Sequence, residues 1–405
     1  MKLKSSEPFW LVKNGLLASY PSLREDKKVD ILIVGGGITG SLIAHQCMED
    51  GFETMLIDKR EVANGSTSAT TAMLQYEIDT PLYKLIRQIG EKGAVESYWA
   101  CYKAIDTLGN IARQVTSDSG FKKKDSLYFA AFKKAVPGLI REFDARKAHG
   151  LPVEWLPAAD ILKRYRTDHT QGGILSHQGG SMDAFRFTHD VLAYNSNRGL
   201  AIYDKTDIEK VKYNNHGVQV LTQYGNIISA RRIIYCNGYE SVQLIKDNFV
   251  RLLSTYAIVG ECFEGDQSEL KDLLIWNTAD PYIYMRTTDD NRILIGGGDE
   301  PFLDTTRRDA LLDQKRIYLE KQLLKLLPAD DFRRDFRTDF VWAGTFGETK
   351  DGLPYIGKHP DFPAAYFVLG FGGNGITFSV MGMEMVSCML KGKKHPLEPY
   401  FSFRR

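Results

Sequence analysis

The sequence feature that most constrains the fold is "ILIVGGGITG", residues 31–40, where an apolar run leads directly into three consecutive glycines. A buried strand that ends in Gly-x-Gly-x-x-Gly and opens a helix is typical of a turn that holds the phosphates of a dinucleotide. In this interpretation Gly35 permits the tight turn, Gly37 lets the backbone approach a pyrophosphate, and Gly40 lets the helix pack on the strand. The alternative is a purely structural glycine turn.

The residues that follow this turn support a dinucleotide site. "ITGSLIAHQCMEDG" predicts a helix closed by Gly51, and "FETMLIDKR" predicts a second strand that ends at Asp58. Such a βαβ unit places two parallel strands side by side. The carboxylate of Asp58 is positioned to accept hydrogen bonds from ribose hydroxyls, and an acid there disfavours a 2′-phosphate. NADP is therefore not expected, while NAD and FAD both stay open.

Two further parts of the chain favour the longer dinucleotide. Residues 64–75, "NGSTSATTAMLQ", form a hydroxyl-rich run that is suited to hold a pyrophosphate and a ring edge; a solvated loop is the alternative. Near the other end, "VLGFGGNGITF" predicts a strand, a glycine loop and a helix that begins near Gly375. Amides at that helix start would stabilise an anion such as the electron-rich edge of a reduced flavin. A cofactor reached from both ends of the chain is long, which favours FAD.

Composition excludes several classes of protein. The chain has 405 residues and a formal net charge of +1, with no block of Lys or Arg, so no nucleic-acid partner is expected. Its five cysteines are scattered without a CxxC pair, which argues for a reducing compartment and against disulfides or a metal site. No stretch reaches the roughly 18 apolar residues of a membrane helix, and no signal peptide is recognisable. We therefore predict a cytoplasmic protein without an integral membrane segment.

The order of the predicted elements indicates two interleaved domains. Parallel βαβ units at both ends, with a helical stretch over residues 80–120 and β-rich material over residues 251–300, predict an α/β (α+β) fold. The predicted limits are as follows. The cofactor domain comprises residues 1–85, 160–248 and 335–405, and the substrate domain comprises residues 86–159 and 249–334.

Several of these motifs together carry a family resemblance. The glycine turn, the hydroxyl-rich run, "IIYCNGYES", the "WAG…DGLPYIG" turn and "GFGGNGITF" resemble the FAD-dependent D-amino-acid oxidase superfamily, which includes glycine, sarcosine and glutamylputrescine oxidases. "GSTSATTAMLQYEID" is most similar to the branch whose members carry a Rieske domain. A Rieske cluster needs pairs of Cys and His, whereas only Cys388 and His395 lie near the end of this sequence, so a Rieske domain is not expected. The resemblance implies a glutathione-reductase-type Rossmann FAD domain with an interleaved substrate domain, whose large mixed β-sheet lies over the flavin.

The motifs and the resemblance define the expected cofactor contacts. By resemblance, Ile208 meets the adenine through its backbone, and Cys236–Gly238 line the pyrophosphate side. Gly344 stands where sarcosine-oxidase relatives carry the cysteine that tethers flavin, so FAD is expected to be non-covalent. The predicted FAD-binding residues are Gly35, Gly37, Ile38, Thr39, Gly40, Asp58, Lys59, Ser66, Thr67, Thr71, Ala72, Leu74, Ile208, Cys236, Asn237, Gly238, Gly344, Leu353, Gly372, Gly373, Asn374, Gly375, Ile376 and Thr377.

The substrate side departs from the family pattern. Enzymes similar to glycine oxidase place an arginine two residues after "WAG" to bind the substrate carboxylate, whereas this chain has Phe346. Arg286 in "YIYMRT" is a candidate replacement, with an exposed strand arginine as the alternative. Tyr282 and Tyr284 are expected on opposite sides of that strand, with the Tyr284 hydroxyl at the substrate. The predicted catalytic residues are Tyr256, Tyr284, Arg286 and Phe346.

The predicted function is an FAD-dependent oxidoreductase that takes a hydride from a carbon bearing nitrogen in an amine or N-substituted amino acid, leaving an imine that hydrolyses. Glycine and D-alanine are expected to be poor substrates, and an acidic group would lie near Arg286. The alternatives are a dehydrogenase of a 2-hydroxy acid or other C–OH substrate, which would need a base, and a non-catalytic FAD-stabilised binding protein. The strand "LLSTYAIVG", residues 252–260, lacks the lysine that sarcosine-type oxidases carry over the flavin. The electron acceptor stays open among oxygen, a quinone and a carrier protein.

Overall fold

The computed structural model describes residues 2–247, 249–262, 268–327, 336–369 and 372–405. The predicted domain boundaries at residues 248 and 335 and residues 370–371 of the "GFGGNG" loop lie outside this part of the chain. The strands are β1 (Lys27–Val34), β2 (Thr54–Ile57), β3 (Met73–Gln75), β4 (Lys122–Phe129), β5 (Val153–Leu156), β6 (Gly173–Ser181), β7 (Ala201–Tyr203), β8 (Ile208–Asn214), β9 (Gly217–Thr222), β10 (Ile227–Tyr235), β11 (Arg251–Gly260), β12 (Leu273–Asn277), β13 (Ile283–Thr287), β14 (Ile293–Pro301), β15 (Thr338–Glu348), β16 (Tyr355–Gly357) and β17 (Ala365–Leu369). The helices are α1 (Phe9–Asn14), α2 (Ile38–Glu49), α3 (Ser66–Ala69), α4 (Leu82–Ile89), α5 (Glu91–Gln114), α6 (Val136–Ala148), α7 (Ala158–Tyr165), α8 (Ala184–Ser196), α9 (Ser268–Lys271), α10 (Thr305–Ala310), α11 (Leu312–Leu326), α12 (Gly375–Leu390) and α13 (Glu398–Phe401).

The first sheet contains the predicted βαβ unit. Its strands follow the order β16-β17-β10-β1-β2-β7, and the hairpin β8–β9 joins it at β10. Strand β1 lies parallel to both β2 and β10, with residues 31–34 opposite residues 54–57. Because a central parallel strand is covered on both faces, it reads as a continuous apolar run, and Leu32 and Ile33 are fully buried. The expected parallel pair of strands around the glycine turn is confirmed.

The second sheet is the predicted large mixed sheet. Its strands follow the order β15-β11-β14-β13-β12-β4-β6-β3, with β5 paired to β6. Only the β12–β4 pair is parallel among its described ladders; the others are antiparallel. Strands β3, β6 and β15 belong to this sheet, although the sequence analysis assigns their residues to the cofactor domain. The domain limits stay a prediction. Through these three strands, the hydrogen-bonded strand pairs of the mixed sheet join residues on both sides of the predicted limits.

The helices cover the sheets and enclose the core. The predicted helical stretch over residues 80–120 is two helices, α4 and α5, which meet at Gly90 with φ of +85°. Helix α2 packs against α8 and α12, and α5 also packs against α12. Helix α11 contacts β11, β14 and β15 of the second sheet. Within the described ranges, every helix is too short or too polar to cross a membrane.

Candidate active site

A large cavity is lined by residues of both sheets and has a volume of about 1330 Å³. This exceeds the roughly 300–1,000 Å³ of a typical small-molecule pocket. The residues around it come from positions as far apart as Leu3 and Ile376. The cavity is therefore large enough for an extended ligand, and the residues that line it come from most of the length of the chain.

One end of the cavity is formed by the glycine turn. Gly35 has φ of +108°, and a Cβ there would lie 2.6 Å from the Cys236 carbonyl oxygen. A Cβ on Gly40 would overlap the carbonyl oxygen of Gly35, so this glycine allows α2 to pack on β1. A side chain at Gly37 would start 2.9 Å from Thr67 Oγ1, and Gly37 itself lines the cavity. The turn therefore exposes backbone to the cavity as predicted for a phosphate-binding loop.

Helix α2 begins at this turn and its start is tied to the hydroxyl-rich run. The amide of Ile38 donates to Thr67 Oγ1 at 3.0 Å. Thr39 Oγ1 and Ser379 Oγ lie 2.8 Å apart, which links α2 to the buried helix α12. The positive end of the α2 dipole thus faces the cavity, where it stabilises a bound anion.

The acid at the end of β2 is Asp58, which lines the same part of the cavity. Its carboxylate accepts hydrogen bonds from the amides of Gly36 at 2.7 Å and Arg60 at 2.8 Å. Burial raises the pKa of Asp58 to about 6, because water around the charged form is largely excluded. Nearby Lys59 and Arg60 pair with Glu240 at 2.9 and 2.8 Å. The carboxylate of Asp58 retains acceptor capacity for a pair of hydroxyls.

The other end of the cavity is formed by the loop before α12. Gly372, Gly373 and Asn374 line the cavity, as do Gly375 and Ile376 in the first turn of the helix. The Asn374 side chain does not cap the helix; it donates to the carbonyls of residues 75 and 77 at 3.0 and 2.8 Å. This holds the loop against β3, and the helix start presents its amides toward the cavity.

Most predicted cofactor residues lie on the cavity wall. They are Gly35, Gly37, Ile38, Thr39, Asp58, Lys59, Ser66, Thr67, Thr71, Ile208, Cys236, Asn237, Gly238, Gly344, Gly372, Gly373, Asn374, Gly375 and Ile376. The exceptions support the wall from behind and are Gly40, Ala72, Leu74, Leu353 and Thr377. Leu74 and Leu353 are fully buried apolar side chains, and Thr377 Oγ1 donates to the Asn374 carbonyl. For these five residues, which lie off the cavity wall, contact with the cofactor stays a prediction.

Tyr284 of β13 and Tyr282, which directly precedes this strand, lie on the substrate side of the cavity. Tyr282 and Tyr284 both line it, and their ring centroids are 5.7 Å apart. The expectation that they lie on opposite sides is wrong, because residues two apart in a strand share a face. The Tyr284 ring occupies the space above Gly296, where a Cβ would lie 2.5 Å from it. Burial raises the pKa of Tyr284 to about 12, so its hydroxyl is a neutral hydrogen-bond group.

Two other predicted substrate residues reach the wall. Phe346 lines the cavity from β15, where it pairs with Leu253 of β11. Tyr256 also lines it, but its hydroxyl donates to the carbonyl of Arg308 at 3.3 Å, away from any ligand. Phe346 therefore presents an apolar ring at the position where the sequence analysis notes an arginine in enzymes similar to glycine oxidase. Tyr256 contributes its ring to the wall, while its hydroxyl is bonded to the Arg308 carbonyl.

The predicted role of Arg286 as a carboxylate anchor is wrong. Its side chain is 3% exposed and lies off the cavity wall. Nε donates to the Thr71 carbonyl at 2.7 Å, and Nη2 donates to the Met182 carbonyl at 3.0 Å. Nη1 donates to the carbonyl of Thr287, and the guanidinium lies 5.2 Å from the Trp10 ring centroid. Arg286 lies on the same face of the strand as Tyr284, but the segment at Thr71 covers this end of the strand.

Sequence reasoning missed two carboxylates on the substrate side. Asp79 follows the hydroxyl-rich run and accepts a hydrogen bond from the Gly373 amide at 2.8 Å. Asp299 follows "GGG" in β14, and it too lines the cavity. Burial raises the pKa of both groups, that of Asp299 to about 7. The sequence offered a signal for Asp79, which ends the stretch "GSTSATTAMLQYEID" that carries the family resemblance, but it offered none for Asp299.

Comparisons with known proteins agree with this architecture. The family described as FAD dependent oxidoreductase matches residues 30–387. The chain is 22% identical over 375 residues to a glycine oxidase of Geobacillus kaustophilus (strain HTA426), covering 91% of this chain and 94% of that protein. It is 26% identical over 400 residues to the putative Rieske 2Fe-2S iron-sulfur protein YhfW of Bacillus subtilis (strain 168), covering 98% and 75%.

A solved structure of glycine oxidase from Geobacillus kaustophilus matches with a TM-score of 0.76 at 19% identity, covering 94% of this chain and 99% of that one. This shows a shared fold. The glycine turn, the acid at Asp58 and the loop before α12 fit an FAD held without a covalent bond. The chain therefore belongs to the DAO family of FAD-dependent oxidoreductases.

Proposed function

We propose that this oxidoreductase oxidises a C–N bond of an amine or N-substituted amino acid, giving an imine that hydrolyses in water. When bound, FAD supplies the acceptor for a hydride from the carbon that bears nitrogen. The nitrogen lone pair assists departure of that hydride, so the protein needs to position the substrate more than it needs a strong base. The relative from Geobacillus kaustophilus is, by its printed name, an oxidase of glycine, which is an amino acid.

The observation that carries this proposal is the chemistry of the substrate wall. It contains tyrosines, the ring of Phe346 and carboxylates, whereas none of the eight histidines, all in the described part of the chain, lines the cavity. Oxidation of a C–OH bond needs a base for the hydroxyl proton, and histidine commonly serves that purpose.

The surrounding residues position the substrate and exclude water. Tyr284 offers a neutral hydroxyl, and Phe346 offers an apolar surface for the substrate carbon chain. The amino-terminal segment closes one side, where the Thr345 amide donates to the Leu3 carbonyl at 2.9 Å and Leu3 lines the cavity. The amides at the start of α12 face the end of the cavity that is formed by the loop before this helix, where they would stabilise negative charge.

Anaerobic flavin reduction tests the proposal. The holoenzyme is mixed with N-alkyl amines, sarcosine, D-proline, glycine and 2-hydroxy acids, and bleaching of the flavin absorbance is followed. We expect reduction by larger amines with release of a carbonyl product, and little reduction by glycine because Phe346 provides no donor for its carboxylate. Reduction by hydroxy acids alone would contradict C–N oxidation, and reduction by none of the compounds would favour a binding protein.

A further inference from the structure

The substrate side of the cavity contains a carboxylate that requires the glycines of the neighbouring loop. A Cβ on Gly372 would overlap Asp79 Oδ2, and a Cβ on Gly373 would lie 2.8 Å from Oδ1. The same Cβ on Gly373 would lie 3.4 Å from the Tyr282 hydroxyl. The carboxylate of Asp79 thus lies directly on the loop, beside the tyrosines, and remains accessible from the cavity.

A second carboxylate, Asp299, lies on strand β14 of the mixed sheet. A hydrogen bond joins its side chain to Thr255, which also lines the cavity. Its Oδ1 atom is shielded from bulk solvent and has no hydrogen-bond partner in the described structure. A shielded carboxylate oxygen without a donor costs free energy, because the water it has lost is not replaced. The Asp299 carboxylate therefore has unused capacity to accept a hydrogen bond.

Two of the cations around these carboxylates are paired with other acids. Lys315 donates to Glu300 at 2.7 Å, and Arg251 donates to Glu348 at 2.8 Å. Lys84 lies at the cavity wall with an exposed side chain. In the described residues, neither Asp79 nor Asp299 forms an ion pair. The negative charge of Asp79 raises the pKa of Asp299, so the two carboxylates are close enough to interact, and a cationic ligand between them would be favourable.

We propose that Asp79 and Asp299 form a subsite that binds a cationic nitrogen of the substrate other than the nitrogen that is oxidised. The reacting nitrogen must be neutral when hydride leaves, and neighbouring carboxylates favour the charged form of an amine. They therefore suit a nitrogen that stays charged throughout. This inference rests on the proposed C–N oxidation and narrows the substrate class to diamines and polyamines, in preference to simple amino acids.

The test uses two unreactive probes of the same shape and opposite charge. tert-Butylammonium has no hydrogen on the carbon that bears nitrogen and cannot be oxidised, and pivalate replaces its ammonium by a carboxylate. Each is titrated into the FAD holoenzyme, and binding is measured from the change in the flavin spectrum. We expect tert-butylammonium to bind at least ten times more tightly than pivalate. Asp79→Asn and Asp299→Asn should each weaken its binding at least tenfold with the FAD content unchanged.

Glu348→Gln is the matched control, because it removes one negative charge from the same wall at a residue already paired with Arg251. This variant should change tert-butylammonium binding less than twofold. Equal or tighter binding of pivalate, no binding of either probe, or equal losses in all three variants would each overturn the subsite. Failure of the proposed function is separate: it would leave probe binding intact while no amine or diamine reduces the flavin.

Discussion

The two ends of the cavity are built in different ways. The cofactor end, at the glycine turn, uses mainly backbone and short side chains between Gly35 and Thr67, with the Cys236 carbonyl packed against Gly35. The substrate end brings together side chains from β13, β14, β15 and the segment after β3. The first arrangement suits a ligand common to a family, and the second is free to change its charge without altering the fold.

The largest effect expected at the substrate end is structural. Arg286→Met removes a buried guanidinium that satisfies three backbone carbonyls. Leaving these acceptors without donors should lower the free energy of unfolding by about 3 kcal/mol or more. Denaturant unfolding of the holoprotein measures this loss. The relative rates of flavin reduction by glycine and N-alkyl amines should stay unchanged, and a selective change for carboxylate substrates would restore Arg286 as an anchor.

The cofactor end should be most sensitive at Gly37. A valine there would meet Thr67 Oγ1 and extend into the space proposed for the pyrophosphate. We expect FAD affinity to fall at least 100-fold, about 2.7 kcal/mol, as measured by titration of the apoprotein with FAD. Gly344→Ala is the matched control, because its Cβ would lie 3.8 Å from its nearest neighbours on the same cavity. Equal losses in both variants would remove the distinction between the two glycines.

A smaller effect concerns Asp58 and pH. Its pKa is about 6 in the protein, and ribose hydroxyls that donate to it would favour the ionised form and lower that pKa. FAD binding should therefore release a proton near pH 6, and affinity should fall as pH drops below that value, by up to about tenfold at pH 5. Isothermal titration at pH 5, 6 and 8 measures the trend. Asp58→Asn should bind weakly with a flat profile, and an unchanged slope in that variant would assign the titration to another group.

The cofactor end could be predicted from the sequence more completely than the substrate end. The βαβ unit and the loop before α12 were predictable because glycine spacing and apolar runs dictate local backbone geometry. The mixed sheet was implied by the family resemblance. The direction of the Arg286 side chain was not predictable, because Thr71, whose carbonyl accepts its hydrogen bond, is 215 residues away along the chain. Tyr284 and Arg286 share one strand face, yet only the tyrosine meets the cavity. Packing between distant segments decides such differences.

The same reason accounts for the missed carboxylates. Asp79 gains its position from Gly372 and Gly373, which lie almost 300 residues later and leave room for it only because they lack side chains. Asp299 is one of 51 acidic residues, and nothing in its local sequence distinguishes it from an exposed strand end. Charge on a cavity wall is a property of the assembled fold, so an inference about substrate charge needs the structure.

The central claim, that the substrate end is anionic and selects a cationic group remote from the oxidised carbon, can be tested with one matched pair of substrates. 1,5-Diaminopentane and 5-aminopentanoate have the same length and the same primary amine, and they differ in the charge of the distal group. The quantity to measure is the rate of anaerobic flavin reduction as a function of substrate concentration, expressed as kcat/KM. We expect kcat/KM to be at least about tenfold higher for the diamine than for 5-aminopentanoate, which corresponds to about 1.4 kcal/mol. An equal or higher value for 5-aminopentanoate would contradict it.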